Sequence, residues 1–325
     1  MTWLREQAMT PSMRRLLARL ACEHGPMPSQ DAADAWARKH TDGLIDAYPV
    51  DVTNPALLLT MATALLTRVT WITPFDVVGA AELGPGPFTS QVRRAMRARP
   101  GNGHRLALSD TEIGVVAVHH AEANGLHVVS VAADPETAAA DVLDTAYRIA
   151  GGTPGGPVDL WDLPLGEGPA WTIAEEQALV HGDRDQVLVD VTVPAWSATS
   201  THELVRLDPG LGFSAAGQVL APLLHLDDFQ VEAVQSAAAR YHPEGFEAAA
   251  VTAVGMRAGA ARLPGQSGVR RVARLRFGHP YAVVAVAAPT DWRQAGRTPW
   301  DGVPVFSAWV RSPEEPEARG IPDRR

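Results

Sequence analysis

The chain has a single cysteine, Cys22, so no intrachain disulfide framework holds it together. It has one lysine, Lys39, among 28 basic residues, and its 37 acidic residues leave a net charge of −9. A chain this short of positive charge is a poor general binder of nucleic acid, and no such partner is expected. No apolar run reaches membrane-spanning length, so a membrane partner is not expected either. Arg14 to Cys22 has the basic start of an export signal, but Arg19 interrupts its short apolar core, and an amphipathic helix is the better reading. With no signal peptide read in this chain, the default compartment is cytoplasmic. Gly-x-Ser-x-Gly elbow, phosphate-cradling loop and paired metal ligands are all missing. An enzyme is therefore not expected, nor a cofactor or a metal.

What is there is a globular composition. The 325 residues are 46% hydrophobic and 20% charged, enough for one large domain or two ordinary ones. Much of the apolar fraction is alanine, and 26 prolines and 28 glycines accompany it, a bias that matches GC-rich coding rather than function.

The stretch that organises the chain runs from Glu244 to Arg257 and follows Val231 to Tyr241, a run readable as a strand. Read with period two, Phe246, Ala248, Ala250, Thr252, Val254 and Met256 point one way, and Glu247, Ala249, Val251, Ala253, Gly255 and Arg257 the other. Both sets are mostly small, and the only charges share one face. That suits a segment able to slide between strands already in place, where bulk and buried charge are the obstacles. Alanine is also the best helix former, so residue types alone leave helix, linker and strand open.

Elsewhere the pattern gives conventional elements. Residues 11–24 space Met13, Leu16, Leu17 and Leu20 as a short surface helix. A second helix over Ala32 to His40, capped by Ser29 or Asp31, stops at Thr41-Asp42-Gly43. Leu57 to Trp71 is a long apolar run, helix or strand by pattern alone, and Gly84 to Gly103 reads as a basic loop. Val115–His120 and Leu126–Ala132 read as a hairpin with Asn124-Gly125 in its turn. His119, His120 and His127 look like a metal cluster at first sight, but neighbours on a strand face opposite ways and no further ligand set completes a site. Pro135–Ala150 reads as a helix with Ala138, Val142, Leu143 and Tyr147 on one side, and Gly151–Gly168 as a crossing loop. Val187–Trp196 and Val269–Phe277 alternate as strands, the latter with Arg270, Arg271, Arg274 and Arg276 on a solvated basic edge.

Six separated motifs then fall in the order of one family. Glu244-Gly245-Phe246-Glu247-Ala248-Ala249-Ala250-Val251-Thr252-Ala253 resembles the hinge of a serpin reactive-centre loop. It departs at Pro243, where an acidic residue is usual, and at Phe246, where a small hydroxyl is usual. Asp34-Ala35-Trp36 with Thr41-x-Gly43-x-Ile45 resembles the serpin helix across the front of the large sheet. Trp71-Ile72-Thr73-Pro74-Phe75 resembles the end of that sheet's third strand, which makes Leu57 to Trp71 that strand. Val189-x-Val191-x-Val193-Pro194-x-Trp196, His279-Pro280-Tyr281 and Phe306-x-Ala308-x-Val310-x-x-Pro313 resemble three further family strands. By these residues the chain resembles a divergent serpin of bacterial type.

The resemblance implies an α+β fold with a large central sheet, two smaller sheets and flanking helices. It assigns 1–31 to an N-terminal extension with a short helix, 32–313 to one serpin-like domain with a mobile reactive loop at about 243–268, and 314–325 to a frayed tail. The family's first helices, two strands of the large sheet and the helix behind it find no counterpart, so an N-terminally shortened chain is expected. It implies an inhibitor of a serine protease, acting by loop cleavage and insertion; the alternative is a non-inhibitory or inactive form. The cleaved bond would be Gly259–Ala260, with Arg257, Arg262 and Leu263 as alternatives, which leaves trypsin-, elastase- and subtilisin-like targets open. Family members are often extracellular. Trp71 would mark where the loop first enters the sheet, and Thr63 and Gln235 would stand at the gate beneath it. Phe246 would be the first inward side chain of the inserting strand, where extra volume costs roughly 1–3 kcal/mol, and Pro243 would remove a ladder donor just before it.

Overall fold

The computed structural model describes residues 1–20, 23–64, 69–101, 103–123, 125–180, 186–246, 266–288 and 299–315. The chain divides into two compact units, Met1–Thr67 with Ala198–Ala239, and Arg68–Ser197 with Arg240–Arg325.

In the first unit, the strand Thr2–Leu4 runs parallel to His24–Pro26 and antiparallel to Leu59–Met61. Its two faces explain the two cores beside it. Trp3 packs with Ala33, Ala37, Tyr48 and Val52, while Leu4 packs with Ala8, Met13 and Leu17. The helix Pro11–Leu17 is capped by Thr10, whose hydroxyl accepts the Met13 amide and donates to the Leu223 carbonyl. The helix Gln30–His40 starts at Ser29, whose side chain accepts the Ala32 amide. It ends on Thr41, buried, whose hydroxyl donates to the Ala37 carbonyl and accepts the Ile45 amide. Gly43, at φ 74°, supplies the left-handed turn. These bonds give a physical reason for the Thr-x-Gly-x-Ile spacing. Trp36 packs edge-on against Trp3 and Tyr48.

The second unit holds two six-stranded sheets. One is ordered Gly156–Pro157, His104–Thr111, Gly114–Ala123, Leu126–Ala132, Tyr281–Ala287, Pro304–Val310. The helix Ala139–Ala150 lies on it through Val142, Ala146 and Ile149, against Val116, Val118, Val129, Val131, Ala282 and Val284. The other sheet is ordered Gly166–Glu167, Trp171–Val180, Gln266–Arg276, Gln186–Pro194, Arg94–Ala98, Asp76–Gly79. A further sheet is ordered Trp196–Glu203, Val234–His242, Gly245–Phe246, Val69–Thr70, and the division between units falls within its first two strands.

Several sequence readings are corrected. Leu57 to Trp71 is not one strand. Leu59–Met61 pairs with the apolar strand Thr2–Leu4, and Val69–Thr70 pairs with Gly245–Phe246. A continuous apolar run gives no preference among partners, and Thr2–Leu4 offers a buried one. The basic loop at 84–103 contains the strand Arg94–Ala98, whose Ala95, Met96 and Ala98 are buried. Arg270, Arg271, Arg274 and Arg276 do not form an edge, because Gln266–Arg276 lies between two other strands. The neighbouring strand places Glu176 and Glu175 opposite Arg270 and Arg271, at 3.3 and 3.2 Å. Such cross-strand pairing replaces solvent as the partner. Arg271 is only 6% exposed and also lies over the Trp161 ring. The helix expected from Pro135 begins at Ala139, and Tyr147 is exposed rather than in its buried face. The tail is tied at its start: Ser197 donates to the Glu314 carbonyl, and the Glu315 carboxylate accepts the Arg93 and Arg94 amides.

Candidate functional site

The site gathers where the strand Val234–His242 turns back on itself. After the two-residue turn Pro243–Glu244, Gly245 and Phe246 form a short strand. It pairs antiparallel with Tyr241–His242 on one side and with Val69–Thr70 on the other. The two flanking strands therefore run parallel to each other, with Gly245–Phe246 between them.

The turn is gripped by the segment that follows Thr70. The Trp71 amide donates to the Glu244 carbonyl at 3.1 Å, and the Phe75 amide to the Pro243 carbonyl at 2.9 Å. The Trp71 indole Nε1–H donates to the His242 carbonyl at 2.9 Å. Pro243 thus costs no ladder bond, since it occupies a turn position where no donor is needed and its carbonyl is the used group. This corrects the expectation that it weakens the ladder.

Beneath the turn is an aromatic cluster. Tyr241 stacks on Trp196 at 5.8 Å and lies 5.1 Å from Trp71 and 5.9 Å from Phe75. Phe246, 3% exposed, packs against Tyr241 at 6.3 Å and Phe306 at 5.6 Å. The bulk that the isolated sequence marks as an obstacle fills a place made by rings from two other strands. Trp196 Nε1–H donates to the Tyr281 hydroxyl at 2.9 Å. Burial raises the phenol pKa of both Tyr241 and Tyr281, opposed in Tyr241 by the Ser130 hydroxyl.

Two histidine pairs flank this cluster and its sheet. His104 and His119 stack at 5.3 Å and touch Phe75 edge-on at 4.7 and 5.5 Å. His104 Nε2 lies 2.8 Å from the Thr73 carbonyl, which can only accept, so that nitrogen carries the proton. His104 Nδ1 then accepts from His119 Nε2–H at 3.1 Å. The remaining His119 Nδ1 is buried and has no hydrogen-bond partner among the described residues. On the opposite face His120 Nδ1 and His127 Nε2 lie 2.9 Å apart, with Arg105 3.3 Å from that same nitrogen of His127 and ion-paired to Glu122 at 2.6 Å. Burial lowers all four pKa values, His119 well below the ordinary value and His120 down to about 3. Among the described residues no group of three metal-ligating side chains converges.

Of the sequence-derived site residues, Glu244, Gly245, Phe246 and Trp71 come together here. Thr63 and Gln235 are exposed, and no hydrogen bond joins them among the described residues. Glu247, Ala248, Ala249, Ala250, Val251, Thr252, Ala253, Arg257, Gly259, Ala260, Arg262 and Leu263 lie outside the described residues. Sequence reasoning gave no site role to Phe75, Tyr241, Trp196 or His104, and weighed His119 only as a metal ligand. The signal for His119 was present, since it shares the inward register of its strand with Ala117 and Ala121.

With this geometry in hand, the comparisons identify the fold. Human thyroxine-binding globulin, solved with thyroxine, is 13% identical over 97% of this chain and 74% of its own, with a TM-score of 0.53. Uncleaved ovalbumin is 13% identical over 88% of this chain and 68% of its own, with a TM-score of 0.51. Both are serpins, and the chain has the α+β serpin fold. No family model and no curated protein sequence matches the chain. Proteins of this fold are mostly protease inhibitors or binding proteins rather than catalysts. No helix of the described residues is long and apolar enough to cross a membrane.

Proposed function

We propose that the chain is a serpin-type inhibitor of a serine protease, with residues 243–268 as its reactive loop. The observation that carries this reading is the double pairing of Gly245–Phe246, antiparallel to Tyr241–His242 and to Val69–Thr70. Val234–His242 and Val69–Thr70 run parallel to each other on either side of Gly245–Phe246, the arrangement in which a strand inserted between them is antiparallel to both. In this mechanism the protease serine attacks the scissile carbonyl carbon, Gly259–Ala260 or a bond at Arg257, Arg262 or Leu263. The peptide C–N bond breaks, the new amine leaves, and the loop stays esterified to the enzyme while it inserts. About a dozen inserted residues at ~0.5–1.5 kcal/mol per net hydrogen bond give a drive on the order of 10 kcal/mol. Trp71 holds the point where insertion begins, and Thr63 and Gln235 are the polar residues proposed for the gate.

A second reading is a non-inhibitory serpin-fold protein, favoured by Phe246, whose ring is fixed between Tyr241 and Phe306. Mixing the protein with trypsin-, elastase- and subtilisin-like proteases separates the two. Inhibition predicts a protease adduct that survives SDS, with sequencing of the released fragment locating the bond. Cleavage by every protease without adduct, and with an unchanged melting temperature, overturns inhibition and leaves the second reading.

A further inference from the structure

The His104–His119 pair is not needed by the mechanism above, yet it sits against the segment that holds the hinge. His104 bonds the Thr73 carbonyl, and both rings touch Phe75. Thr73 and Phe75 belong to the same short turn as Trp71, and the amides of Trp71 and Phe75 hold the Glu244 and Pro243 carbonyls. We propose that the His104–His119 pair is a proton-operated latch: a proton taken from solution splits the pair and frees the Trp71–Phe75 turn from the hinge. This concerns the hinge itself and holds whether or not the protein inhibits a protease.

The bond pattern explains why one proton suffices. The hydrogen bond between the stacked rings runs from His119 Nε2–H to His104 Nδ1. A proton on His104 Nδ1 sets two donors face to face unless His119 moves its own proton to Nδ1. A proton on His119 Nδ1 creates a buried cation at an atom with no partner among the described residues. Among the described residues, no carboxylate contacts the pair on this face. Packed around the pair are the Phe75 ring, with Tyr241 behind it, Ser130 opposite His119 on the next strand, and the Thr73 carbonyl. Glu122 is the carboxylate whose charge reaches His104, and it is committed to Arg105 on the other face. His120 and His127, on that face, add repulsion when charged, as His104 does to His119. From the hinge strand come His242, Arg240 and Glu244, whose charges act on one another.

Hydrogen exchange of the whole protein, corrected for intrinsic rates, tests the latch at neutral pH and at about pH 5, where a histidine ordinarily charges. The expected result is a loss of protection in acid for residues 69–75 and 241–246 at least tenfold greater than that of the hairpin of Tyr281–Ala287 and Pro304–Val310. In His104→Gln/His119→Gln the protection of the hinge becomes independent of pH, while His120→Gln behaves as wild type. Equal loss in the double variant, no loss in wild type, or an equally large loss across the hairpin each overturns the proposal. If the double variant does not fold, the imidazole carbon-bound protons of the wild-type protein decide by NMR. The Phe246 amide shift must then follow the titration of the buried pair, and a hinge that moves with a different midpoint overturns the latch.

Discussion

His119 and His120 are consecutive residues of one strand, yet their faces of the sheet are chemically unlike. The inner face joins His104 and His119 to Phe75, Tyr241 and the hinge, with neutral partners only. The outer face joins His120 and His127 to an arginine and a glutamate at the end of the hairpin. The same side chain, one residue apart, therefore does two jobs. Inside, a stacked pair fills volume and fixes a turn by a single hydrogen bond. Outside, it extends a solvent-facing charge network. The difference teaches that here the register of a strand, rather than residue type, decides which histidine faces the segment that holds the hinge.

The comparison breaks most visibly on the inner side. Phe75→Ala removes the ring that both inner imidazoles, Trp71 and Tyr241 contact. A loss of about 3–5 kcal/mol is expected, as for other buried aromatic truncations. Urea unfolding at neutral pH measures it, and a loss under about 1 kcal/mol would make the two faces equivalent.

A smaller effect sharpens the outer side. A histidine whose folded pKa is depressed binds its proton in the unfolded chain first. Stability is then complete above the unfolded value of about 6.5 and falls as pH drops toward the folded value. For His120 the folded value is about 3, so its contribution declines throughout that interval. His120→Gln is expected to flatten the acid limb of stability by about 1.4 kcal/mol per pH unit. Denaturant midpoints followed from neutral pH to about pH 4.5 test this, and parallel curves for variant and wild type would refute the assignment.

Least is expected from the exposed ion pair. Arg105→Gln breaks the bridge to Glu122 at a partly solvated position and is expected to cost about 0.2–1 kcal/mol, less in high salt. Salt-independent loss of more than that would show the outer network to be as dry as the inner one.

Local pattern carried much of the fold. The period-two alternation of Val115–His120 and Leu126–Ala132 with Asn-Gly between them gave the hairpin, which is observed as Gly114–Ala123 with Leu126–Ala132. The Ser29 cap and the Thr41 stop bounded a helix correctly because both act within a few residues. Partnership did not show. Leu57 to Trp71 has no Pro or Gly, and its one charge, Arg68, does not mark that its first part joins Thr2–Leu4 and its last part the hinge. The arginines of Gln266–Arg276 look solvated until Glu175 and Glu176, some hundred positions earlier, stand opposite them. The same holds at the site. Trp71, Gly245 and Phe246 carried a local signature, but the pocket that receives Phe246 is made by Tyr241 and Phe306, which nothing near Phe246 announces.

The hinge also carries its own optical label. Tyr241 lies face to face with the Trp196 indole and close to that of Trp71, and the Trp196 N–H ends on the Tyr281 oxygen. Light absorbed by Tyr241 passes to these indoles while the rings stay together, so its own emission is quenched and theirs stays blue. When the hinge parts from Trp71, the indole reaches water and its emission moves to the red, with no dye attached to the chain.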